Sequence, residues 1–400
     1  MERMTLDNVY KANYVLKSVV RRTDVLPAPK LKPGLDLYLK TENLQVTGSF
    51  KVRGAYYKMS QLSPEDRAKG VVACSAGNHA QGVALAAQKN GMKAVICLPD
   101  AAPISKVEAT KSYGAEICLV DGVYDDAFNK ALSLRDEMGY TFIHPFDDPA
   151  IMAGQGTIGL EILDQLEDVD VIVTAIGGGG LISGIGYAVK QLKPSCKVIG
   201  VQSEGAASMV EALRGNEIVT LPHVDTIADG IKVKRAGDKT FEMCRKYVDE
   251  VVTVSESEIA ESILWLLEKQ KLITEGAGAV SVAAITSGKI EVAGKKVVAL
   301  LSGGNVDVTT LERIIKHGLT AEGRVCSFST VLPDQPNALA TFLAAVSAVG
   351  VNVLEVHHDR SSMKAGVNAI RVRLVTETRN QQHIQQLYAA LKDKGYPVIE

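Results

Sequence analysis

The chain has 400 residues, of which 46% are hydrophobic and 22% charged, and its formal net charge is −2. That length is too great for one hydrophobic core, so we expect two or three domains. The near-neutral charge gives no reason to expect nucleic acid or a membrane surface as a partner.

Short β-branched runs alternate with amphipathic helical stretches over most of the chain. The predicted strands are residues 71–74, 94–98, 116–120, 171–176, 198–201 and 297–301. Alternation of this kind predicts parallel sheets covered by helices on both faces. The strands are almost continuously apolar, which agrees with burial on both sides. The predicted fold class is therefore α/β.

A lysine stands near the start of an early predicted helix, in the sequence GSFKVRGA of residues 48–55. Gly48 and Ser49 are expected to open this helix, which places Lys51 one turn inside it. A helix N-terminus disfavours a protonated amine and lowers its pKa, as a Schiff-base lysine requires. A lysine taken alone is more often a solvated surface residue. Whether Lys51 is catalytic therefore depends on the motifs around it.

Three polar or glycine-rich stretches begin where predicted strands end. The sequence SAGNH follows the strand 71–74, GGGG follows the strand 171–176, and SGGN follows the strand 297–301. Ligands bind at this edge of parallel sheets because loops and helix N-termini converge there. These stretches are therefore the candidate binding site.

The four successive glycines precede a predicted helix that runs to about residue 190. Bare backbone N–H groups at a helix start hold a phosphate well, helped by the helix dipole. Ile182 stands where the dinucleotide motif GxGxxG needs its third glycine, and no P-loop motif follows. We prefer phosphate binding to the alternative of a plain tight turn between strand and helix.

The pattern changes after about residue 320. Residues 324–332, 351–359 and 367–376 are predicted strands, residues 338–349 and 380–394 are predicted helices, and residues 397–399 form a short last strand. This βαββαβ order predicts a separate ferredoxin-like module.

Five motifs in this order and spacing, GSFKVRGA, SAGNHAQGVA, GQGT, GGGGL and SGGN, resemble the fold-type II pyridoxal-phosphate enzymes, and most closely the threonine dehydratases. The resemblance covers roughly residues 5–318. The later stretch LPDQPNALATFLAAVSAVGVNVLEV resembles an ACT regulatory domain. The resemblance implies a catalytic region of residues 1–320 and an ACT domain of residues 321–400. Within the catalytic region, a small subdomain of about residues 40–150 is inserted into a large subdomain formed by residues 1–39 and 151–320.

The resemblance implies a role for each matching residue. Lys51 binds pyridoxal phosphate as an imine, is displaced by substrate and then removes the Cα proton. Phe50 lies against the cofactor ring, Asn78 hydrogen-bonds the ring's 3′-oxygen, and Ser302 contacts the pyridine nitrogen. The phosphate is bound by the backbone N–H groups of Gly177, Gly178, Gly179, Gly180 and Leu181. The substrate carboxylate is received by the turn of Ser75, Ala76, Gly77, Asn78 and His79.

The implied reaction is deamination of L-threonine to 2-oxobutanoate and ammonia, and of L-serine to pyruvate, by Cα deprotonation and β-elimination. Serine racemisation is the first alternative, but Ala76 replaces the second catalytic serine of the racemases. β-Replacement, as in the cysteine synthases, is another; residues 48–51 and 154–157 differ from the pattern of those enzymes. A catalytically silent amino-acid sensor is a minor reading, which the intact Lys51 disfavours.

No metal site is predicted. Gln202 and Ser208 stand where some relatives have the two carboxylates of a divalent-cation site, although Glu204 is nearby. His357 and His358 are adjacent on a predicted strand and point to opposite faces, so they cannot ligate one metal together.

Three other polar groups are weaker candidates. His79 is either catalytic or, as we prefer, packed behind its loop and hydrogen-bonded in place. Glu275 either faces the pocket or caps the helix that follows it. Asp229 and Gly230 either line the imine edge of the cofactor or form a plain turn.

The expected partners are an amino-acid substrate and a small effector of the ACT domain. The candidate effector loop is residues 332–338, where Asn337 replaces the usual glycine. A homodimer or homotetramer is expected because ACT modules pair across subunits. The six cysteines are scattered in apolar runs, which predicts free thiols in a reducing compartment. With no signal-peptide pattern and no apolar run of about 18 residues, we expect a cytoplasmic protein.

Overall fold

The computed structural model describes residues 4–32, 34–360 and 368–399. The chain divides into two compact units, Met1–Asp307 and Val308–Glu400. Each unit has its own sheet or sheets and its own hydrophobic core. Of the helices described, none is long and apolar enough to cross a membrane.

The first unit alternates strands and helices along the chain. Its strands are β1 (Val25–Pro27), β2 (Asp36–Lys40), β3 (Val71–Cys74), β4 (Ala94–Pro99), β5 (Glu116–Val120), β6 (Thr141–Phe142), β7 (Val171–Ala175), β8 (Lys197–Ser203), β9 (Glu250–Val254) and β10 (Lys296–Leu300). Its helices are α1 (Leu6–Leu16), α2 (Lys51–Ser60), α3 (Pro64–Lys69), α4 (Asn78–Asn90), α5 (Ile104–Lys111), α6 (Tyr124–Met138), α7 (Pro149–Gln165), α8 (Gly180–Leu192), α9 (Ser208–Gly215), α10 (Asp238–Tyr247), α11 (Glu256–Trp265) and α12 (Gly276–Thr286).

A six-stranded sheet has the strand order β1-β2-β10-β7-β8-β9. Strand β1 runs antiparallel to β2, and the remaining pairs are parallel. Every residue of β7 is buried, as expected for a strand with helices on both faces. A four-stranded parallel sheet has the order β5-β4-β3-β6, and all of its strands lie within residues 71–142. The predicted α/β class with parallel sheets is confirmed.

Each of the six strands predicted from apolar runs in the first unit matches an observed strand to within two residues at each end. Strands β3 and β5 have the predicted bounds, β4 and β7 differ by one residue at one end, and β10 begins and ends one residue earlier than predicted. Strand β8 is longer than predicted, from Lys197 to Ser203. The predicted strands did not include β1, β2, β6 and β9, and the two residues of β6 are too few to show periodicity.

Helix α2 begins later than the sequence pattern indicated. Its first residue is Lys51 itself, so the prediction that Lys51 lies one turn inside the helix is wrong. Gly48 has a φ of +69°, and Ser49 forms an isolated bridge with Gly303, so both residues stay outside the helix. Lys51 therefore stands at the helix N-terminus. Helix α4 packs closely against it, since a Cβ atom at Gly82 would lie only 3.0 Å from the backbone carbon of Lys51.

The second unit contains helices on a small antiparallel sheet. Its elements are α13 (Val308–Ala321), β11 (Val325–Pro333), α14 (Ala338–Ser347), β12 (Asn352–Asp359), β13 (Ala369–Glu377) and α15 (Gln381–Asp393). The strand order is β11-β13-β12, and Phe328, Phe342 and Leu387 contribute to the core. The third predicted strand began at residue 367, which lies outside the described residues.

The predicted last strand, residues 397–399, is reduced to a single pair. Ile399 forms an isolated antiparallel bridge with Ser329 of β11, with both backbone hydrogen bonds made. Pro397 has no backbone N–H to give to a ladder, which explains why the strand is no longer. The bridge still places the chain end beside β11, in the βαββαβ order expected of a ferredoxin-like module.

Candidate active site

The turns after β3, β7 and β10 meet around Lys51, as their positions at strand ends predicted. Strands β7 and β10 are neighbours in the six-stranded sheet, so the turns that follow them lie side by side. The Phe50 N–H donates to the carbonyl oxygen of Ser302 at 3.2 Å. Asn305 Nδ2 donates to Asn78 Oδ1 at 2.7 Å. These bonds join the start of α2, the start of α4 and the turn after β10 into one site.

The amine of Lys51 is held inside this site. Its Nζ donates a 3.0 Å hydrogen bond to the carbonyl oxygen of Pro145 and lies 5.2 Å from the centre of the Phe50 ring. Burial lowers the pKa of Lys51 to about 8, against the opposing effect of the Glu275 carboxylate. The lowered pKa of Lys51 was predicted from its position at a helix N-terminus, but burial is the main cause. A neutral amine is the form that attacks carbonyl groups and accepts protons.

Glu275 faces the pocket, so the helix-cap alternative is wrong. Asn78 Nδ2 donates a 2.6 Å hydrogen bond to Glu275 Oε1, and no side-chain cap bond to α12 is made. A Cβ atom at Gly303 would lie 2.4 Å from this oxygen, and one at Gly230 would lie 3.3 Å from it. Burial raises the pKa of Glu275 to about 7, although the Asn78 hydrogen bond and the charge of Lys106 act in the opposite direction.

The glycine turn leads directly into α8, whose first residue is Gly180. Gly179 has a φ of +97°, a conformation that side-chain-bearing residues rarely adopt. Thr240 Oγ1 donates to the carbonyl oxygen of Gly178 at 2.5 Å, which fixes the turn from outside. The start of this 13-residue helix offers backbone N–H groups with no intrahelical acceptor, as phosphate binding requires.

Hydrogen bonds of Ser75 fix the first part of the turn of residues 75–79. Ser75 N–H donates to the Cys97 carbonyl oxygen at 3.2 Å, and Ser75 Oγ accepts from Gly77 N–H at 3.1 Å. The space in front of Gly77 is open, because a Cβ atom there would meet nothing within 4 Å. With Ser75 N–H and Gly77 N–H already used, the N–H groups of Ala76 and of Asn78 and His79 at the start of α4 are the donors of this turn left for a carboxylate.

His79 has the geometry of a structural residue. Its side chain is buried, and Nε2 lies 2.8 Å from the carbonyl oxygen of Ile143. Burial, followed by the charge of Lys51, lowers the pKa of His79 to about 3, so the ring stays neutral. His79 therefore fastens the 75–79 turn to the end of β6, as preferred from the sequence.

The residues fit pyridoxal phosphate. Besides the Lys51 amine and the helix start at Gly180, the Ser49 hydroxyl is buried beside Gly303 without a hydrogen-bond partner in the described part of the chain. The Ser302 hydroxyl, expected at the pyridine nitrogen, donates to the carbonyl oxygen of Ala277 at 3.1 Å. Phe50 is half-buried against the core of the six-stranded sheet. An aldehyde and a phosphate each have a complementary group here, and the Ser302 hydroxyl would donate to a ring nitrogen on turning away from Ala277.

Sequence reasoning missed the segment of residues 144–147, which follows β6 as the other turns follow their strands. Pro145 accepts from Lys51, and the Phe146 ring lies on the glycine turn, 2.4 Å from where a Cβ atom of Gly178 would be. The only signal was the run HPFDDP after two strand residues. That strand was too short to be predicted, so nothing drew attention to its end.

The remaining candidates lie away from the amine. Gly230 borders Glu275, but Asp229 is mostly exposed and pairs with Lys106 at 3.2 Å. Gln202 Oε1 accepts from the N–H groups of Met209 and Val210 at 2.9 Å each, so it caps α9. Within residues 4–32, 34–360 and 368–399, no group of three or more His, Cys, Asp or Glu could hold a metal ion.

The other residues considered as metal ligands, namely Glu204, His357 and His358, are exposed on the surface. Glu204 is exposed and lies 4.0 Å from Lys289. In the second unit, His357 and His358 are both exposed on β12, and His357 Nε2 lies 3.1 Å from Glu355 Oε2.

Comparison with known proteins agrees with this site. Residues 16–303 match the family described as pyridoxal-phosphate dependent enzyme. The L-threonine ammonia-lyase of Thermotoga maritima is 48% identical over 397 residues, 99% of each chain, and that of Geobacter sulfurreducens is 43% identical over 392 residues, 98% of each chain.

Among solved structures, the processed form of threonine deaminase isoform 2 from Solanum lycopersicum is 38% identical, with a TM-score of 0.74 over 78% of this chain and 88% of its own. Maize serine racemase is 34% identical, with a TM-score of 0.75 over 80% of this chain and 100% of its own. The chain is thus similar both to threonine deaminases and to a racemase.

Proposed function

The chain belongs to the family of pyridoxal-phosphate-dependent enzymes, and from that premise we propose that it deaminates L-threonine to 2-oxobutanoate and ammonia. It is a carbon–nitrogen lyase, and L-serine is its second substrate, giving pyruvate. Relatives named L-threonine ammonia-lyase, 43–48% identical over nearly the whole chain, support this substrate class.

The observation that carries the proposal is the buried amine of Lys51 at the first residue of α2, hydrogen-bonded to Pro145 and with a pKa of about 8. When bound, pyridoxal phosphate supplies an electron sink for negative charge at the substrate Cα. Lys51 would hold the cofactor covalently, and its amine, once displaced by substrate, would accept the Cα proton.

The other residues orient the reacting groups. Gly177, Gly178, Gly179, Gly180 and Leu181 would hold the phosphate through backbone N–H groups at the start of α8. Asn78 and Ser302 would contact the polar edge of the ring, and Phe50 would lie against its face. The turn of residues 75–79 binds the substrate carboxylate at the start of α4, which leaves the β-hydroxyl free to depart.

Racemisation of serine is the second candidate, because maize serine racemase has a comparable fold at 34% identity. Inversion at Cα requires a proton donor on the face opposite Lys51. The turn has Ala76 there, whose side chain carries no proton to give. This favours elimination.

One experiment tests the reaction. Purified protein with pyridoxal phosphate is supplied with L-threonine or L-serine, and 2-oxobutanoate, pyruvate, ammonia and D-serine are measured. We expect oxo acid and ammonia in equal amounts, little D-serine, and none of these with Lys51→Ala. Absence of oxo acid from both substrates would refute the proposal, and D-serine as the main product would favour racemisation.

We further propose that residues 321–400 form an ACT domain that binds a small effector at the loop 332–338. Asn337 in this loop has a φ of +69°, the left-handed conformation for which glycine is usual. Effector control is tested at subsaturating L-threonine with isoleucine, valine or nucleotides, using the full chain and a chain ending at residue 307. Equal responses of the two chains would refute regulation through the second unit.

A homodimer or homotetramer in the cytoplasm completes the proposal. Cys74, Cys97, Cys118, Cys196 and Cys244 are free thiols, which suits a reducing compartment. Sedimentation of the purified chain determines the number of subunits, and a monomer would refute the assembly.

A further inference from the structure

The segment of residues 144–147 spans the distance between the reactive amine and the glycine turn. The carbonyl oxygen of Pro145 lies 3.0 Å from Lys51 Nζ. The next residue, Phe146, lies on the glycine turn: a Cβ atom at Gly178 would be 2.4 Å from three atoms of its ring. A Cβ atom at Gly180 would be 2.8 Å from the Phe146 Cα and carbonyl oxygen. Only bare glycine backbone permits this contact.

Two polar side chains fix the Phe146 ring in place. His144 Nδ1 accepts from the N–H groups of Phe146 at 3.2 Å and Asp147 at 2.8 Å. The His144 and Phe146 rings meet edge to face, with centres 4.7 Å apart and planes at 88°. Asp147 Oδ1 in turn accepts from the N–H groups of Lys239 and Thr240, at 3.0 Å each, at the start of α10. The ring is therefore a fixed wall.

This wall begins at the residue next to Pro145, whose carbonyl oxygen lies 3.0 Å from Lys51 Nζ. Since Lys51 would act on the substrate Cα, the substituents on the adjacent β-carbon would come near this segment. The surrounding groups from the turns are polar, namely Asn78, Glu275 and Ser302. Phe146 is half-buried, so part of its apolar ring remains available to a ligand.

We propose that the Phe146 ring contacts the methyl group on the β-carbon of threonine and thereby sets the preference of this site for threonine over serine. The inference rests on the proposed function and adds the residue that discriminates between its two substrates. A single methyl group in an apolar contact changes specificity by about 10-fold or more. The apolar ring is therefore sufficient to account for such a preference.

The test compares Phe146→Ala and Phe146→Leu with the wild-type holoenzyme. The ratio of kcat/KM for L-threonine to that for L-serine is expected to fall about 10-fold in Phe146→Ala and less in Phe146→Leu, which keeps an apolar side chain. Phe328→Leu is the matched control, because Phe328 belongs to the hydrophobic core of the second unit, which includes none of residues 144–147. It should leave the ratio unchanged.

Binding gives a second readout that does not depend on turnover. L-2-Aminobutanoate and L-alanine differ by the same methyl group and carry no leaving group, so calorimetry measures their Kd values directly. The preference for 2-aminobutanoate should fall about 10-fold in Phe146→Ala. Equal losses for both ligands, or an unchanged ratio in both variants, would overturn the proposal. A wild-type enzyme that releases no oxo acid would instead refute the proposed function.

Discussion

The side-chain amide of Asn78 donates a 2.6 Å hydrogen bond to the carboxylate of Glu275, across 197 residues of chain. Its oxygen accepts from Asn305 at 2.7 Å, so the amide is fixed from both sides. One N–H of Asn78 remains for a ligand, and its direction is set by these two partners. Glu275 thus orients Asn78, a residue that we propose binds the cofactor, while its own charge acts on Lys51.

Replacing Glu275 by glutamine should lower the pKa of Lys51 below its value of about 8. The Glu275 carboxylate stabilises the protonated amine, so its removal favours the neutral form. The difference should appear mainly above pH 7, because Glu275 is protonated below its own pKa of about 7. The measurement is the pH dependence of imine formation when pyridoxal phosphate is added to apoenzyme.

Glu261→Gln is the matched control for this experiment, since Glu261 is exposed on α11. It should leave the pH dependence of imine formation unchanged. The same midpoint in Glu275→Gln and wild-type protein would mean that Glu275 does not influence Lys51.

His144 should act as a positioning residue through its Nδ1 atom. That atom accepts two backbone N–H groups of the 144–147 segment, and burial lowers the pKa of His144 to about 4, so it remains an acceptor at neutral pH. In His144→Asn the side-chain oxygen takes the position of Nδ1, and we expect kcat/KM for L-threonine within about 3-fold of wild type. His144→Gln places its oxygen farther out and should lose about 10-fold or more, as should His144→Ala.

The rate of imine formation in the apoenzyme is the readout that separates positioning from folding here. It should slow in His144→Gln and His144→Ala, because the Pro145 carbonyl that holds Lys51 shifts with the segment. If His144→Asn and His144→Gln have the same kcat/KM and the same rate of imine formation, the contacts of His144 Nδ1 do not position the segment.

Gly178→Ala should weaken the binding of pyridoxal phosphate more than 10-fold. The new methyl group would lie 2.4 Å from the Phe146 ring, so either the ring or the glycine turn has to move. Gly215→Ala adds the same methyl group in open space at the end of α9 and is the control. Titration of apoenzyme with the cofactor measures both affinities, and equal affinities would show that the turn tolerates a side chain.

Much of the site could be predicted because its parts follow strands that are themselves visible in the sequence. The apolar runs 71–74, 171–176 and 297–301 mark β3, β7 and β10. Strands β7 and β10 are parallel neighbours in the six-stranded sheet, so their ends lie side by side, and β3 ends in the same way in the four-stranded sheet. The glycine turn and Lys51 carry additional local signals, in composition and motif. Local pattern was therefore enough to locate the pocket.

The rest depends on contacts that no local pattern contains. Glu275 reaches Asn78 over 197 residues of chain, and nothing around position 275 distinguishes a pocket-facing carboxylate from a helix cap. The 144–147 segment follows a strand of two residues, too short for a periodic signal. The late start of α2 likewise depends on the distant bridge between Ser49 and Gly303.

Behind Lys51, a buried ionic network fixes helix α2. Arg53 Nε and Nη2 each donate to a Glu42 oxygen at 2.8 Å, and Nη1 donates to Glu161 Oε1 at 2.7 Å. Lys40 Nζ donates to Glu161 Oε2 at 2.6 Å. Two positive and two negative side chains thus balance one another in the interior, and only Glu161 keeps a small exposed fraction, 8% of its side chain. Such networks are costly to break because each remaining charge stays desolvated.

Arg53→Ala should therefore destabilise the first unit by about 3–5 kcal/mol, since it leaves Glu42 without a counter-ion and Glu161 with only Lys40. Arg53→Lys restores the charge but not the paired hydrogen bonds to Glu42, so we expect an intermediate loss. The measurement is the free energy of unfolding from urea titration, with Arg214→Ala as control, because Arg214 is exposed and pairs only with Glu211 three residues away. That control should change the free energy by less than about 0.5 kcal/mol. A loss below about 1 kcal/mol in Arg53→Ala would mean that water reaches the carboxylates and that the network is not closed.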